Sequence, residues 1–541
     1  MKNGKNESKN DMLLFSLNAS FAHQALGVLT LAAYINTNLN SQVCSVLECN
    51  INERDDEIFY RLYQNAKDKK IAGFSCYIWN IEKMLKFAGS LKKLLPEIYI
   101  VFGGPEVSFY DKANFYSLYP FVDFLIQGEG EEQLLALWES LGEPPRQAHA
   151  CHPSTGGELI KRRRSDEIPL RGGVPSPSET RSPTAGWSFS GLYKNAENYH
   201  TVYYESARGC PFRCSYCISG IDNEKVRAKS VDLIMDELKI IEDKYYNCDN
   251  SKINIIKFCD RTFNFDIKRA NELYKNLIER AEKYQKTYNK NLLPYQFELY
   301  PALFDEDSFD ILKTAPKDLF HFEIGVQSLN QKTLEEIGRK NFNINQALEN
   351  IARIKNPGNI PVHADLIAGL PYEDLESFIN GFNLLYEKTK ADFIQIGFLK
   401  LLRGTRIRKE AGVHGYIYEE NPPYTVLCNK YMSFEDMAFL RDTEKMYKRY
   451  FSEAYIKSLN YIHNINSFAG NVFEILRILA VHWRKNNLFD KLVSQKDAFG
   501  AFYKAFEKTK ILNENELVCL TELLENDFYE HDGKKLILKL K

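Results

Sequence analysis

Ala207-Arg-Gly-Cys210-Pro-Phe-Arg-Cys214-Ser-Tyr-Cys217 sets three thiols in a CxxxCxxC run, and the reading of this stretch decides what must surround it. Thiolates are soft ligands that hold iron–sulfur clusters or zinc, and a closed site normally takes four of them. A zinc site more often shows CxxC pairs in two separated knuckles. Here no second CxxC exists, because the remaining cysteines, at 44, 49, 76, 151, 248, 259, 428 and 519, are scattered. Three ligands then have to suffice. On a four-iron, four-sulfur cluster, three leave one iron open to a small molecule.

Outward from this loop the chain reads as a β/α series. Strands are expected at 201–208, 253–258, 293–299, 319–325, 361–368 and 392–400, with helical patterns between them. Six parallel units predict an open, partial TIM-type barrel over 199–410, with active groups at the strand C-termini, where the cysteine loop also falls. Those ends carry polar residues: Asp260 in Phe258-Cys-Asp-Arg-Thr-Phe263, Glu298 in Phe-Glu-Leu-Tyr-Pro301, Gln327 in Ile-Gly-Val-Gln-Ser328 and Asp365 in Asp-Leu-Ile-Ala-Gly-Leu-Pro371. Arg339 follows in Ile-Gly-Arg. A single strand-end carboxylate is usually solvated and a single helical arginine usually lies on the surface; their order behind the cysteine loop makes them a group. Cys259 reads as a buried strand cysteine.

Before the barrel, residues 12–145 alternate strands at 12–17, 43–48, 71–76, 98–104 and 123–128 with helices near 26–38, 54–67, 80–94 and 131–140. That alternation predicts an α/β, doubly wound (Rossmann-like) parallel sheet, whose ligands bind beyond the strand C-termini. Three strands end in small or glycine-rich turns, Gly73-Phe-Ser75, Phe102-Gly103-Gly104-Pro-Glu106 and Gln127-Gly128-Glu129-Gly130. Bare backbone there suits a large flat ligand.

The cysteine run, with Tyr216 before its last thiol, resembles the signature of the radical S-adenosylmethionine (SAM) superfamily. The resemblance implies that Cys210, Cys214 and Cys217 hold a 4Fe-4S cluster, that the open iron chelates SAM, and that reductive cleavage yields methionine and a 5'-deoxyadenosyl radical. The barrel motifs are similar to the branch that includes the oxygen-independent coproporphyrinogen oxidases and the cobalamin-dependent members. In that branch, positions matching Glu298 and Gln327 bind the SAM ribose, Arg339 pairs with the methionine carboxylate, Asp365 is a further SAM contact, and Asp260 stands where the SAM amine is held. Tyr216 is counted with this SAM set. Leu26-Gly-Val-Leu-Thr-Leu-Ala-Ala-Tyr34 and the three turns resemble a cobalamin-binding domain over 1–145, which assigns Ser75, Gly103, Gly104, Gly128 and Glu129 to cobalamin. The DxHxxG motif of such domains is absent and His23 lacks its spacing. Cobalamin would sit without a protein histidine on cobalt; the competing expectation is a flavodoxin-like domain that has lost its cofactor.

Residues 146–198 interrupt the composition with Lys161-Arg-Arg-Arg164 and Pro175-Ser-Pro-Ser-Glu-Thr-Arg-Ser-Pro183, and read as a disordered linker or insert. Residues 411–541 show helical spacing at 434–450, 473–483 and 514–525 and resemble the helical C-terminal extension of a subset of these proteins. A net charge of −2 gives no global attraction to nucleic acid or membrane, and neither is an expected partner. The polar start fits no secretion signal, and the apolar run 26–35 is far below the ~20 residues of a membrane span, so a cytoplasmic location is expected.

The sequence reading is therefore a radical SAM enzyme that transfers a methyl group from cobalamin to an unactivated carbon of a small-molecule or peptide substrate. An external reductant such as flavodoxin or ferredoxin would supply the electron. Radical cyclisation or rearrangement is the alternative within the fold. A non-catalytic zinc or RNA-binding protein is the alternative outside it.

Overall fold

The computed structural model describes residues 11–20, 23–142, 192–193, 195–221, 225–534, 536 and 538. In the first unit, β1 (Met12–Asn18), β2 (Cys44–Asn50), β3 (Ile71–Ser75), β4 (Tyr99–Gly103) and β5 (Phe124–Leu125) form a parallel sheet in the order β2-β1-β3-β4-β5. The inner strands β1 and β3 are almost wholly buried because helices cover both faces, while the edge strand β2 is mostly half-buried, and each face has its own apolar cluster, one around Phe15, Phe74 and Phe102, the other around Met12, Val101 and Phe124. The chain order reverses between β1 and β3, which opens a crevice at their C-terminal ends. Helix Lys112–Leu118 was not anticipated; seven residues are too few to show a period, and Asp111 caps it by accepting from the Asn114 N–H at 2.8 Å.

The second unit is a six-stranded parallel sheet. It begins with β6 (Thr201–Tyr204), passes a short antiparallel pair, β7 (Ala207–Arg208) with β8 (Arg227–Ala228), and continues through β9 (Ile255–Phe258), β10 (Tyr295–Leu299), β11 (Phe320–Gln327), β12 (Val362–Ala368) and β13 (Phe393–Phe398). The order β13-β12-β11-β10-β9-β6 follows the chain, as a partial (β/α)6 TIM-type barrel requires, with helices outside. The single first strand expected over 201–208 is broken. Asp260 takes the N–H groups of Ser206 and Ala207 at 2.8 and 3.0 Å, so the ladder stops after Tyr204 and the chain turns toward the cysteines.

After the barrel come a hairpin of β14 (Ile417–Tyr418) and β15 (Val426–Cys428) and a helical region: Phe434–Tyr450, Ile456–His463, Val472–Lys485, Gln495–Thr509 and Glu514–Asp532. Ser433 and Asp436 form a capping box that starts the first of these helices at the predicted residue. Its apolar side joins the barrel's core without a break. The basic and proline-rich stretch 146–190 lies outside the described residues. Leu192, Tyr193 and Ala196, inside the span expected to be an insert, instead pack in the barrel core. Among the described residues no helix is long and apolar enough to cross a membrane.

Candidate functional site

The cysteine loop leaves β7 at the barrel mouth and is gripped from behind at Ser215. That residue is buried; its N–H donates to the Ile337 carbonyl at 2.9 Å and its carbonyl accepts from Ile407 N–H at 3.0 Å. Gly338 comes so close that a Cβ would lie 2.8 Å from the Arg213 oxygen, and its φ of +88° suits glycine. Cys210, Cys214 and Cys217 are free thiols, each half-buried. Cys210 Sγ lies 3.5 Å from Thr262 Oγ1, and Ser219 N–H donates to Cys217 Sγ at 3.4 Å. Behind the loop, Glu336, Glu410 and His414 bring ligand atoms within 4.8 Å of one another. Arg406 pairs with both carboxylates, at 3.5 and 2.9 Å, so a cation is already in place there.

Arg339 and Tyr216 meet at this loop. The buried guanidinium donates to the carbonyls of Gly325 and Val326 at 2.8 and 3.2 Å and lies over the Tyr300 ring, while its Nε has no partner. Burial pushes the Tyr216 hydroxyl up, opposed by the Arg339 guanidinium. Gln327 stands at φ +75° where the register of β11 against β12 slips between Gly325 and Gln327. The slip turns the Gln327 amide back to where a side chain on Gly325 would be, 2.5 Å from its Cβ position. A glutamine held in that backbone region at the end of a central strand is strain of the kind found at ligand sites.

Alternation along the strands decides the rest. Phe297, Leu299, Phe322 and Ile324 are buried toward the helices, whereas Gln296, Glu298, Glu323 and Asp365 alternate with them on the half-buried inner face. Lys257 Nζ and Gln296 Nε2 both donate to Glu323 Oε2 at 3.0 Å. Glu298 is raised by burial, partly offset by Arg261. Asp365 is raised to about 8, first by burial and then by Glu323 and Glu298, and its Oδ1 is buried without a partner. Asp260 is placed differently from the expectation that put it on a SAM amine. Its carboxylate is 1% exposed and committed to the backbone N–H groups of Ser206 and Ala207 and to the Ser206 hydroxyl, with Arg269 bonded to the same hydroxyl at 2.7 Å. It sets the course of the chain into the cysteine loop. Cys259 sits one residue past β9 at the mouth, half-buried, and is not the buried strand cysteine expected.

Opposite the mouth stands the C-terminal edge of the first sheet. Gly104 runs so close to β3 that a Cβ would lie 2.6 Å from the Cys76 oxygen, at φ +109°. Ser75 and Gly103 end adjacent strands in register, and Gly128 at φ +78° has open space on its side-chain face. Glu129 turns its carboxylate away from that edge, onto Arg208 at 3.2 Å and onto Arg227; the two arginines lower it against the cost of burial. Arg208 also reaches Glu131 and Glu205 at 2.7 and 2.8 Å. A cavity of about 230 Å³ is lined by Glu129 from one unit and by Arg208, Cys210, Arg213 and Arg227 from the other. The arginine contacts and the lumen pair Lys257–Glu323 were not foreseen. The period-two polar residues of Tyr-Gln-Phe-Glu-Leu and Phe-His-Phe-Glu-Ile, unusual in a parallel sheet, were the signal for the lumen pair alone.

Comparisons with known proteins follow this division. Residues 14–137 match the B12 binding domain, 204–385 the Radical SAM superfamily, and 412–540 a family described as Protein of unknown function (DUF4080). The chain is 26% identical over 365 residues to 2-(S-pantetheinyl)-carbapenam-3-carboxylate methyltransferase of Streptantibioticus cattleyicolor, covering 64% of this chain and 49% of that protein. It is 26% identical over 363 residues to the cobalamin-dependent radical SAM methyltransferase TokK of Streptomyces tokunonensis, with the same shares. The match thus spans about half the length of these curated relatives. Among solved structures, the cobalamin-dependent SAM radical enzyme OxsB superposes with a TM-score of 0.58 at 13% identity, covering 96% of this chain and 83% of that one. The radical SAM methyltransferase TsrM of Kitasatospora setae, solved with tryptophan and a SAM analogue, gives 0.54 at 15% identity over 76% and 79%. At these identities the likeness is one of fold.

Proposed function

We propose that this chain, a member of the radical SAM proteins that carry a cobalamin-binding domain, catalyses methyl transfer to an unactivated carbon of a small-molecule substrate. The observation that carries this reading is the loop of three half-buried thiols at the barrel mouth, where Cys210 lines one cavity with Glu129 of the first unit. The residues present fit the three groups such chemistry needs. Three half-buried free thiols on one loop suit a cluster with an open iron. Two buried polar atoms without partners, Arg339 Nε and Asp365 Oδ1, suit a ligand with a carboxylate and hydroxyl or ammonium donors. The open face over Gly128, beside Ser75, Gly103 and Gly104, suits a flat ring system.

When bound, the cluster and SAM supply a one-electron cleavage that generates a hydrogen-abstracting radical, and cobalamin supplies a methyl carrier. The chain's own work is placement. Cys210, Cys214 and Cys217 would hold the cluster, and the Ser215 backbone bonds keep their loop in register. Arg339, anchored by one nitrogen on two carbonyls, keeps Nε for a carboxylate. Glu298 and Gln327 would accept from and donate to ribose hydroxyls, and Tyr216 would pack against the same ligand. Asp365, held protonated at neutral pH by burial, can act as a donor as well as an acceptor. His23 Nδ1 lies 3.3 Å from the Tyr203 hydroxyl, so that ring nitrogen serves the contact between the two units. A cytoplasmic setting and an external flavodoxin- or ferredoxin-type reductant belong to the same reading.

The test is anaerobic reconstitution with iron, sulfide and hydroxocobalamin, followed by SAM and dithionite. Retained cobalamin and 5'-deoxyadenosine are the expected result, with deoxyadenosine lost in Cys214→Ala. Deoxyadenosine without cobalamin would replace methyl transfer by cyclisation or rearrangement. A protein that takes up zinc and cleaves no SAM would overturn the enzyme reading.

A further inference from the structure

The loop that follows β4 carries a carboxylate that none of the chemistry above uses. Glu106 is 4% exposed, lies three residues past Gly103, and accepts a hydrogen bond from the hydroxyl of Tyr424, far along the chain in the hairpin after the barrel. Arg403 completes the contact. Its Nε donates to the Tyr424 hydroxyl at 2.8 Å and lies 3.7 Å from Glu106 Oε1, and its guanidinium covers the Tyr110 ring at 4.0 Å. Arg408 lies over the other part of the Tyr424 ring at 4.5 Å. At Gly404, φ +83°, the backbone presses so closely on the Phe109 ring that a Cβ would overlap it.

Both ends of this contact are anchored. On the barrel side, Leu401 N–H donates to the Tyr424 carbonyl and Val426 N–H to the Leu399 carbonyl, each at 3.0 Å, so Tyr424 extends the exit of β13. On the other side, Glu106 N–H donates to the Cys76 carbonyl at 3.2 Å, tying the loop to the end of β3. Ser108 Oγ accepts from Gly128 N–H at 3.1 Å, and Gln127 Nε2 donates to the Tyr110 carbonyl at 2.7 Å. One continuous set of bonds therefore runs from the hairpin through Glu106 to the turns after β3, β4 and β5. A buried carboxylate is costly unless it is bonded and paired, so the loop gains most when the hairpin is seated on it.

We infer that Tyr424, Arg403 and Glu106 form a latch by which the segment after the barrel fixes the β4 loop, and with it the cobalamin-facing edge, over the cysteine loop. Tyr424 lies within the DUF4080 match, so that region serves as a positioning element of the site. The second half of the inference rests on the cobalamin reading above.

Tyr424→Phe and Glu106→Gln test it, each alone and together, on the full chain. Hydrogen–deuterium exchange of apoprotein should show faster exchange over residues 104–110 and 127–129 in every variant, with the helices after residue 434 unchanged. Hydroxocobalamin titration of the reconstituted protein should show affinity weakened about tenfold in Tyr424→Phe and less in Glu106→Gln, whose amide oxygen can still accept from Tyr424 but without the charge, and the double variant should lose less than the two singles combined, because both changes act on one contact. Iron content should stay at the wild-type value. Unchanged exchange in Tyr424→Phe would overturn the latch, as would faster exchange with undiminished cobalamin affinity. Faster exchange in a chain whose wild type binds no cobalamin would leave the latch standing and remove the cobalamin reading instead. Tyr424→Phe decides the matter if Glu106→Gln fails to fold.

Discussion

The barrel is open along both edges, and its two neighbours cover those edges in opposite ways. At β13 the covering element is helix Phe434–Tyr450. Tyr447 is 2% exposed, packs its ring on Phe382 and Phe393, and accepts a hydrogen bond from the edge-strand N–H of Ile394 at 3.1 Å. The helical region and the barrel share one apolar core. At β6 the first unit makes, among the described residues, a single bridge, His23 to Thr201, backed by Tyr199 on Glu48 at 2.5 Å and by the Arg208 and Glu106 contacts. The buried apolar clusters of that unit are separate from the barrel's, although the half-buried Leu26 and Leu29 of its first helix pack on the barrel core. One neighbour is fused by dispersion and burial, and the other is docked chiefly by polar bonds. On the proposed function the first unit would accept a large cofactor and let a substrate pass, and it would gain from being docked: polar contacts fix geometry but can open locally without exposing a core.

The largest effect that would sharpen this contrast comes from the fused side. Tyr447→Ala removes a buried ring and the partner of Ile394 N–H, and should cost about 4 kcal/mol. Because the core is shared, barrel and helical region should still unfold together. Separate transitions for the two in denaturant, followed by tryptophan emission and far-ultraviolet dichroism, would break the comparison.

Next comes the docked side. Arg208 serves three carboxylates, with its own side chain 16% exposed. Arg208→Gln leaves Glu131 and Glu205 partly buried without their cation, an expected cost on the order of 3 kcal/mol. The loss should fall on docking: limited proteolysis should release the intact first unit while the barrel's melting stays near wild type. Equal destabilisation of both units would mean that they are fused after all.

The same contrast explains what could be read in advance. The five-strand and six-strand series, their parallel order and helices such as 26–38 and 434–450 were legible because burial on one or both faces stamps a period on the chain. The cysteine loop was legible because the CxxxCxxC spacing crowds three thiols onto one loop, and that loop lies at the barrel mouth. Arg339, Glu298 and Asp365 fell at the barrel mouth because strand C-termini converge there. The docking contacts left no such mark. Glu106 and Tyr424, or Glu129 and Arg208, meet only because two folded units are set against each other, and a polar side chain in a loop reads the same whether its partner is water or a distant arginine. Asp260 was misplaced for a related reason. Its position at the end of β9 was right, but the turn of the preceding strand that consumes its carboxylate depends on a backbone path that no spacing records.

The smallest effect concerns pH and asks whether the two attachments fail in different windows. His482 is buried in helix Val472–Lys485, where burial first and then Lys508 and Lys504 lower it from 6.5 to about 4. A lowered histidine is neutral in the folded chain, while the unfolded chain binds a proton below pH 6.5. The stability tied to it is therefore complete above 6.5 and is lost as pH falls toward 4. Glu129 is a lowered carboxylate, so the docking it supports is complete above its ordinary value of 4.5 and is lost only at pH below that. Of these two groups His482 should therefore respond to acid before Glu129, while His23 at the docked contact, also lowered by burial and by Lys257, belongs to the earlier window. In urea titrations at pH 7 and pH 5, His482→Gln should shrink the fall in stability between the two pH values, whereas Glu129→Gln should leave that fall unchanged. An undiminished fall in His482→Gln would show that some other group of the shared core sets the acid limit.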